Sequence, residues 1–327
     1  MKLASLIAAA TVAEMSLAGA ALGLAGLAGW WNGWLDVIAA FAPVWLALSV
    51  AAAAFAWPAF EAGPQRRLVV GAALVGVVAG AVLMAPEFLR PIPTATAAPS
   101  AAHPPLKLLT FNVWDDNPFR DKTIAAIVGS GADVVTMQEL ENFNAAQRAR
   151  LTSVYPYWAH CPAGCDLAML SKRPWTATRW SSSPEAPAFG ALWGSTTAPD
   201  GRPVALMTTH YAWPFPIHLQ ASQRAALAHL MRQTDKSNLI LAGDFNLAPW
   251  TAALKRQDAA FAPLVRRTRA LFSWPATIAR LDKPAPFPIL PIDQVYASPD
   301  WLTVRTTRLP WAGSDHYGVL ATLERAR

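Results

Sequence analysis

Cysteine is nearly absent: the 327 residues include two, Cys161 and Cys165, in Cys-Pro-Ala-Gly-Cys. With no second pair to complete a tetrahedral set, they exclude a zinc ribbon and a multi-bridge disulfide framework. Two readings of the pair stand, a small-loop disulfide in an oxidising compartment and a pair of buried thiols. Charge is as scarce at one end of the chain. Residues 1–92 hold Lys2, Arg66, Arg67 and Arg90 as bases and Glu14, Asp36, Glu61 and Glu87 as acids, and no others. The whole net charge of +6 therefore rests on the remainder, where 23 bases face 17 acids. So modest a surplus suits an anionic substrate or an acidic lipid surface, and equally an ordinary solvated face.

Where charge is missing, apolar runs take its place, at Leu3–Leu27, Val37–Trp57 and Leu68–Met84. Each approaches the ~20 residues that cross ~30 Å of hydrocarbon. The first can also be read as a signal peptide, since Lys2 precedes it and small residues follow. Two further runs close behind it favour a helical bundle. Gly19 and Gly23 form a small-xxx-small face for close helix packing, and Glu14 is expected to turn into the bundle interior. Loop charge sets the direction. Lys2 and the Arg66–Arg67 pair mark the cytoplasmic side, and the base-free turn Trp30-Trp31-Asn32-Gly33-Trp34 falls outside. Arg90 and Lys107 run against this slightly, but a long soluble domain translocates with little regard to charge. The expectation is a multi-pass protein of the cytoplasmic (inner) membrane, N-terminus inside, with residues 1–90 as membrane domain.

Residues 91–105 are rich in Pro and Ala without an apolar period, and read as a semi-extended tether. From Leu106 short β-rich runs alternate with amphipathic ones, which implies sheets covered by helices. Strands are predicted at Leu106–Val113, Asp133–Glu139, Leu167–Ser171, Pro203–His210, Asn238–Asp244, Ile292–Ala297 and His316–Leu323. Helices are predicted at Lys122–Ser130, Phe143–Ser153, Leu219–Thr234 and Thr251–Lys255. No internal repeat is present.

Polar residues close most of these strands. Asn112 follows Leu-Leu-Thr-Phe, Glu139 follows Val-Val-Thr-Met-Gln, and His210 follows Leu-Met-Thr-Thr. Asp244 and Asn246 follow Leu-Ile-Leu-Ala-Gly, Asp293 precedes Gln-Val-Tyr, and Asp315 and His316 open the last strand. Alone, Asn112 or Asn246 would be an ordinary turn residue. Together these carboxylates, imidazoles and carboxamides make a site. A hard cation such as Mg²⁺ prefers oxygen ligands, of the kind that Glu139, Asn112 and Asp315 supply. The two histidines can manage protons and phosphoryl charge.

The motifs Thr110-Phe-Asn112-Val, Met137-Gln-Glu139-Leu, Thr209-His210, Gly243-Asp244-Phe-Asn246, Ile292-Asp293 and Gly313-Ser-Asp315-His316 resemble the endonuclease/exonuclease/phosphatase superfamily, the DNase I-like fold. They run in the expected order across residues 106–323. The resemblance implies an α/β, four-layer α-β-β-α sandwich of two mixed sheets, preceded here by three transmembrane helices, with residues 106–327 as catalytic domain. It implies Glu139 as principal metal ligand, with Asn112 and Asp315 beside the ion. His316, oriented by Asp293, would be general base or phosphate contact; Asp244 would position the nucleophile or assist proton transfer; Asn246 would bind phosphate; His210 would stabilise the transition state. The implied cofactor is Mg²⁺, with Mn²⁺ as a substitute. Two departures stand out. Val113-Trp114 occupies the place where some DNA-repair members carry a second acidic ligand, and Asp115 lies one position further on, so one metal is expected. Gln294 stands where relatives often have His or Tyr, a matter of packing beside Asp293. Asp133 reads as a turn carboxylate, and Asp115, Asp116, Glu141, His160, His218 and His229 as solvated or structural.

Substrate is not settled by fold. The loops Trp213–Ile217, Ser273–Ala276 and Pro284–Pro291 are apolar enough to meet a lipid interface, although local Pro/Trp packing gives the same composition. The arrangement also resembles membrane-spanning members linked to glycopeptide-type antibiotic resistance. A phosphorylated lipid or lipid-carrier substrate is thus favoured over nucleic acid. The alternatives are an extracytoplasmic nuclease, with Arg266, Arg267, Arg269 and Arg280 tracking a phosphate backbone, and a non-catalytic membrane sensor or scaffold.

Overall fold

A computed structural model describes residues 3–95, 104–140, 143–162 and 165–326. Lys2, Glu141 and the centre of the expected tether lie outside the described residues. The chain forms two compact units. The first comprises Met1–Arg90 with Leu247–Arg256, the second Pro91–Asn246 with Gln257–Arg327.

In the first unit, helices follow from long Ala/Leu/Val/Gly runs without charge. They are α1 (Leu3–Leu27), α2 (Gly33–Ala40), α3 (Ala42–Ala59) and α4 (Pro64–Leu89). Three helical segments, Leu3–Trp30, Ala42–Ala59 and Pro64–Leu89, are long and apolar enough to cross a membrane. The second expected span, Val37–Trp57, is broken at Phe41. Pro43, in the first turn of α3, starts a new helix there because it has no N–H to continue the old one. The interior stripe of α1 is small: Ala9, Val12, Ser16, Gly19, Gly23 and Gly26. A Cβ at Gly76 of α4 would fall 2.8 Å from the backbone carbonyl carbon of Gly19, so α1 and α4 meet almost backbone to backbone. Glu14 is exposed on the bundle's outer surface, contrary to the expectation that it turns inward. It stands two residues, or about 200° of helix, from Ser16, and a tightly packed small-residue stripe leaves no room for a carboxylate.

The second unit contains, in chain order, β1 (Leu106–Asn112), α5 (Arg120–Gly129), β2 (Val134–Gln138), α6 (Ala145–Thr152), β3 (Tyr157–His160), β4 (Leu167–Ser171), β5 (Ala177–Ser182), β6 (Gly190–Thr197), β7 (Pro203–His210), α7 (Ile217–Gln233) and β8 (Leu239–Asp244). After α8 (Ala252–Ala260) come β9 (Val265–Arg266), β10 (Thr277–Ile278), β11 (Lys283–Pro284), β12 (Asp293–Ala297), β13 (Trp301–Arg308) and β14 (Val319–Arg325). One sheet runs β13-β14-β1-β2-β4-β3 and the other β5-β6-β7-β8-β12-β9. Among the described residues each has one parallel pair, β1/β2 and β7/β8, beside antiparallel neighbours. Leu108, Val134 and Met169 of the first sheet pack with Leu206, Ile240 and Val295 of the second in one buried core. Ile124 and Ile127 of α5 and Leu151 of α6 cover the outer face of the first sheet. On α7, Leu227 and Met231 are fully buried. Two mixed sheets with helices around them form the expected DNase I-like architecture. The tether's start is less loose than expected: Pro93 O accepts from Thr303 N–H at 2.9 Å, and Ala95 N–H donates to Thr303 O at 3.0 Å.

Candidate active site

The parallel pairs explain how the polar residues converge. Asn112 ends β1 and Glu139 follows β2, while His210 and Asp244 end β7 and β8 in direct register. β12 runs antiparallel to β8, so its first residue, Asp293, lies opposite Asp244. β14 is antiparallel to β1, which brings the preceding Asp315 and His316 to the same edge. His316 was expected to open this strand; it lies in the loop before it, because Val319 is the first residue to pair. Gly243 has a spatial reason. A Cβ there would sit 2.1 Å from Thr209 O on the neighbouring strand.

Asp244 is the hub. Its Oδ2 lies 3.6 Å from His210 Nε2 and 3.5 Å from His316 Nε2. Asn112 Nδ2 donates to Glu139 Oε1 at 2.7 Å and to Asp244 Oδ2 at 3.2 Å. Its Oδ1, the atom a cation would use, accepts from Trp114 N–H at 3.0 Å and keeps a second lone pair. Asn246 donates its backbone N–H to Asp244 Oδ1 at 2.9 Å and its Nδ2 to Tyr211 O at 2.8 Å. Asp293 Oδ2 holds His316 Nδ1 at 2.9 Å. Ser314 Oγ donates to Asn112 O and accepts from His316 N–H, tying the last motif to the first. Glu139 and Asn246 adopt left-handed backbone, φ 58° and 48°. At Glu139 such strain is about 1–3 kcal/mol and persists only where the surroundings over-determine it, whereas Asn tolerates the conformation more readily.

One residue of the cluster, Asp166, carries no motif in the sequence. Asp166 Oδ2 lies 2.5 Å from His210 Nδ1, so His210 has its own carboxylate as His316 has Asp293. The signal for it was positional: Asp166 precedes β4, whose first residue pairs with Gln138, next to Glu139. Asp115 donates its backbone N–H to Glu139 Oε2 at 3.1 Å. Asp116, His160, His218 and His229 are exposed, as expected. Asp133 accepts from Lys107 N–H as a junction carboxylate. Gln294 bonds Thr268 and Pro291 O, a packing role. Cys161 and Cys165 form a disulfide, immediately before Asp166.

Electrostatics follow from five carboxylates, Glu139, Asp166, Asp244, Asp293 and Asp315, gathered around His210 and His316. Burial raises the Asp244 carboxyl to about 6 against the opposing pull of His316. Burial also raises Asp315, with Glu139 and Asp293 adding to it. Burial alone would lower His210, but the Asp166 hydrogen bond and the charges of Asp244, Asp166 and Glu139 outweigh it and lift it to about 9. His316 is likewise raised, its carboxylate neighbours overcoming burial. Asp315 Oδ1 and Asp293 Oδ1 are buried with no hydrogen-bond partner among the described residues. Asp244, Asp293 and His316 present ligand atoms within 4.8 Å of one another. Clustered acids with orphaned oxygens fit a hard divalent cation.

Apolar loops rim the site. Trp213, after His210, contacts Trp274 with ring centroids 5.0 Å apart. Trp274 Nε1 donates to Asp315 Oδ2 at 3.1 Å, and Ala276 N–H donates to Asp315 O at 2.6 Å. From this base the β10–β11 hairpin carries Ile278, Leu281 (60% exposed), Arg280 and Lys283, followed by Phe287 (66% exposed).

A model of the Endonuclease/Exonuclease/phosphatase family matches residues 109–316. No curated protein matches significantly in sequence. Among solved structures, an endonuclease/exonuclease/phosphatase from Beutenbergia cavernae is 19% identical at a TM-score of 0.56, covering 68% of this chain and 72% of its own. TDP2 of D. rerio, complexed with a single-strand DNA product, is 16% identical at 0.54, covering 67% and 98%. Sphingomyelinase C from Streptomyces griseocarneus is 18% identical at 0.51, covering 67% and 99%.

Proposed function

The chain belongs to the endonuclease/exonuclease/phosphatase family and is a metal-dependent hydrolase of phosphoester bonds; from that premise we propose that it cleaves a phosphorylated lipid or lipid-carrier at the outer face of the cytoplasmic membrane. The observation that carries the lipid reading is the exposed Ile278, Leu281, Phe287 and Phe215 on loops anchored to the catalytic motifs. Apolar tips beside Arg280 and Lys283 suit an anionic bilayer interface. The nuclease alternative loses support. Arg266 is buried against Asp258 and Arg267 is fully buried with a bond to Ser298 O, so neither can track a phosphate backbone.

Glu139, Asp315 and Asn112 would hold Mg²⁺, which when bound neutralises phosphoryl charge and lowers the pKa of water. The residues of the chain do the rest. Asp293 fixes the His316 ring so that Nε2 faces Asp244, and Asp166 does the same for His210. Asp244, lifted towards neutrality, takes the proton of the attacking water. Protonated His210 donates to a phosphoryl oxygen as negative charge develops, and Asn246 orients Asp244.

The outer-face reading rests on loop charge and on parity. Asp36, between the first two spans, hydrogen-bonds residues beyond the third, as three crossings require. To test the function, full-length protein in detergent with Mg²⁺ is assayed on prenyl diphosphate, sphingomyelin, phosphoinositide and plasmid DNA, beside Glu139→Ala. Lipid turnover lost in the variant is expected. Turnover of plasmid alone overturns the lipid reading, and turnover of nothing favours a scaffold.

A further inference from the structure

Directly behind the Gly243–Asn246 motif, Leu247–Arg256 belongs to the same unit as the apolar helices. Three ties hold it there. Asp36 (8% exposed) accepts from Ala252 N–H at 2.6 Å through Oδ1 and from Ala253 N–H at 2.8 Å through Oδ2. Trp250 (1% exposed) donates from Nε1 to Ala40 O at 3.0 Å. Arg256 lies over the Trp30 ring, 5.1 Å from its centroid, and donates to Trp30 O at 2.5 Å. A helix needs no such distant carboxylate for its own start. Thr251 Oγ1 already accepts from Leu254 N–H, the local capping bond, and Asp36 takes the two N–H groups that this cap leaves open.

We propose that Asp36 is a positioning residue of the active centre, clamping residues 247–256 so that Asn246 and Asp244 keep their catalytic conformation. Asp244 is held by strand pairing on its N-terminal side. Asn246 is left-handed, a conformation that Asn tolerates and that fixed flanks keep in place. The clamped segment begins one peptide bond after it, and its first tie is at Trp250. Gln220 Nε2 donates to Asn246 O at 3.0 Å and Asn246 Nδ2 donates to Tyr211 O, so release of the clamp loosens the C-terminal flank and leaves the Asn246 N–H less firmly held on Asp244 Oδ1. The inference rests on the phosphoesterase reading.

The test uses the full-length protein in detergent, the panel substrate that the wild type hydrolyses, and amide hydrogen exchange. Asp36→Ala is expected to speed exchange at Ala252 and Ala253 and in a peptide spanning 244–248. It should lower kcat about tenfold, since small misplacement costs that much, with KM changed less than about twofold. Asp36→Asn, which keeps one acceptor, should recover part of kcat. Trp250→Phe, which keeps the ring and loses the donor, should move kcat in the same direction and carries the test if Asp36→Ala does not accumulate. Faster exchange confined to 252–253 with wild-type kcat would overturn the clamp and leave Asp36 a local cap. Unchanged exchange at 252–253 would overturn it as well. A wild type without turnover on any substrate would instead sink the functional reading, and the exchange data would still report on the clamp.

Discussion

Asp166 and Asp244 stand on opposite sides of the His210 ring, the first 2.5 Å from Nδ1 and the second 3.6 Å from Nε2. The imidazole is thus oriented by one carboxylate and aimed at another, and both favour its protonated form. Removing Asp166 therefore has a predictable sign. We predict that Asp166→Asn leaves His210 easier to deprotonate, because an anionic hydrogen-bond partner is gone. Activity that needs the imidazolium then fades at lower pH. The alkaline limb of kcat/KM, expected near 9 in the wild type, should move down by about one pH unit or more. A limb that stays in place would remove Asp166 from the mechanism.

The apolar rim makes a prediction about KM. Replacing Phe215 and Leu281 by Ser removes two exposed side chains that a bilayer would partly cover. Losing about 1.4 kcal/mol of interfacial burial corresponds to about a tenfold rise in KM for vesicle-borne substrate. Equal kinetics for wild type and double variant on vesicles would show that the rim packs locally and touches no lipid.

Topology is readable in two independent ways. An alkaline phosphatase fusion after Arg327 is expected to be active, and a silent but expressed fusion contradicts the outward orientation. In freshly alkylated cells Cys161 and Cys165 should resist labelling until reduced, since their disulfide belongs to an oxidising compartment. Ready labelling before reduction would oppose that placement.

Much of the candidate site was legible because its polar groups close apolar strands. Gly243-Asp244-Phe-Asn246 and Gly313-Ser-Asp315-His316 carry their geometry in their own sequence, and the register of β7, β8 and β12 gathers them. Asp166 was not legible, being a lone carboxylate beside a cysteine whose partner histidine is 44 residues away. The Asp36 clamp left still less trace. Its partners are backbone N–H groups, 216 and 217 residues distant, and a backbone donor has no side-chain signature. Strand β5 went unpredicted because its largely exposed residues lack apolar alternation, and β13 because a register shift between Thr303 and Arg305 interrupts it. Glu14 misled for a different reason. An acid in an apolar run is expected to seek the interior, yet Ser16, Gly19 and Gly23 take the inner stripe.

The central claim is hydrolysis at a cation held by Glu139, and a metal titration tests it most directly. Purified full-length protein is stripped with EDTA and assayed for turnover of its lipid substrate as Mg²⁺ is restored, alongside Glu139→Gln. The account predicts no turnover in EDTA, saturable recovery in the wild type, and a variant at least about a hundredfold slower at every Mg²⁺ concentration. Full turnover in EDTA, or a Glu139→Gln variant that matches the wild type, would contradict it.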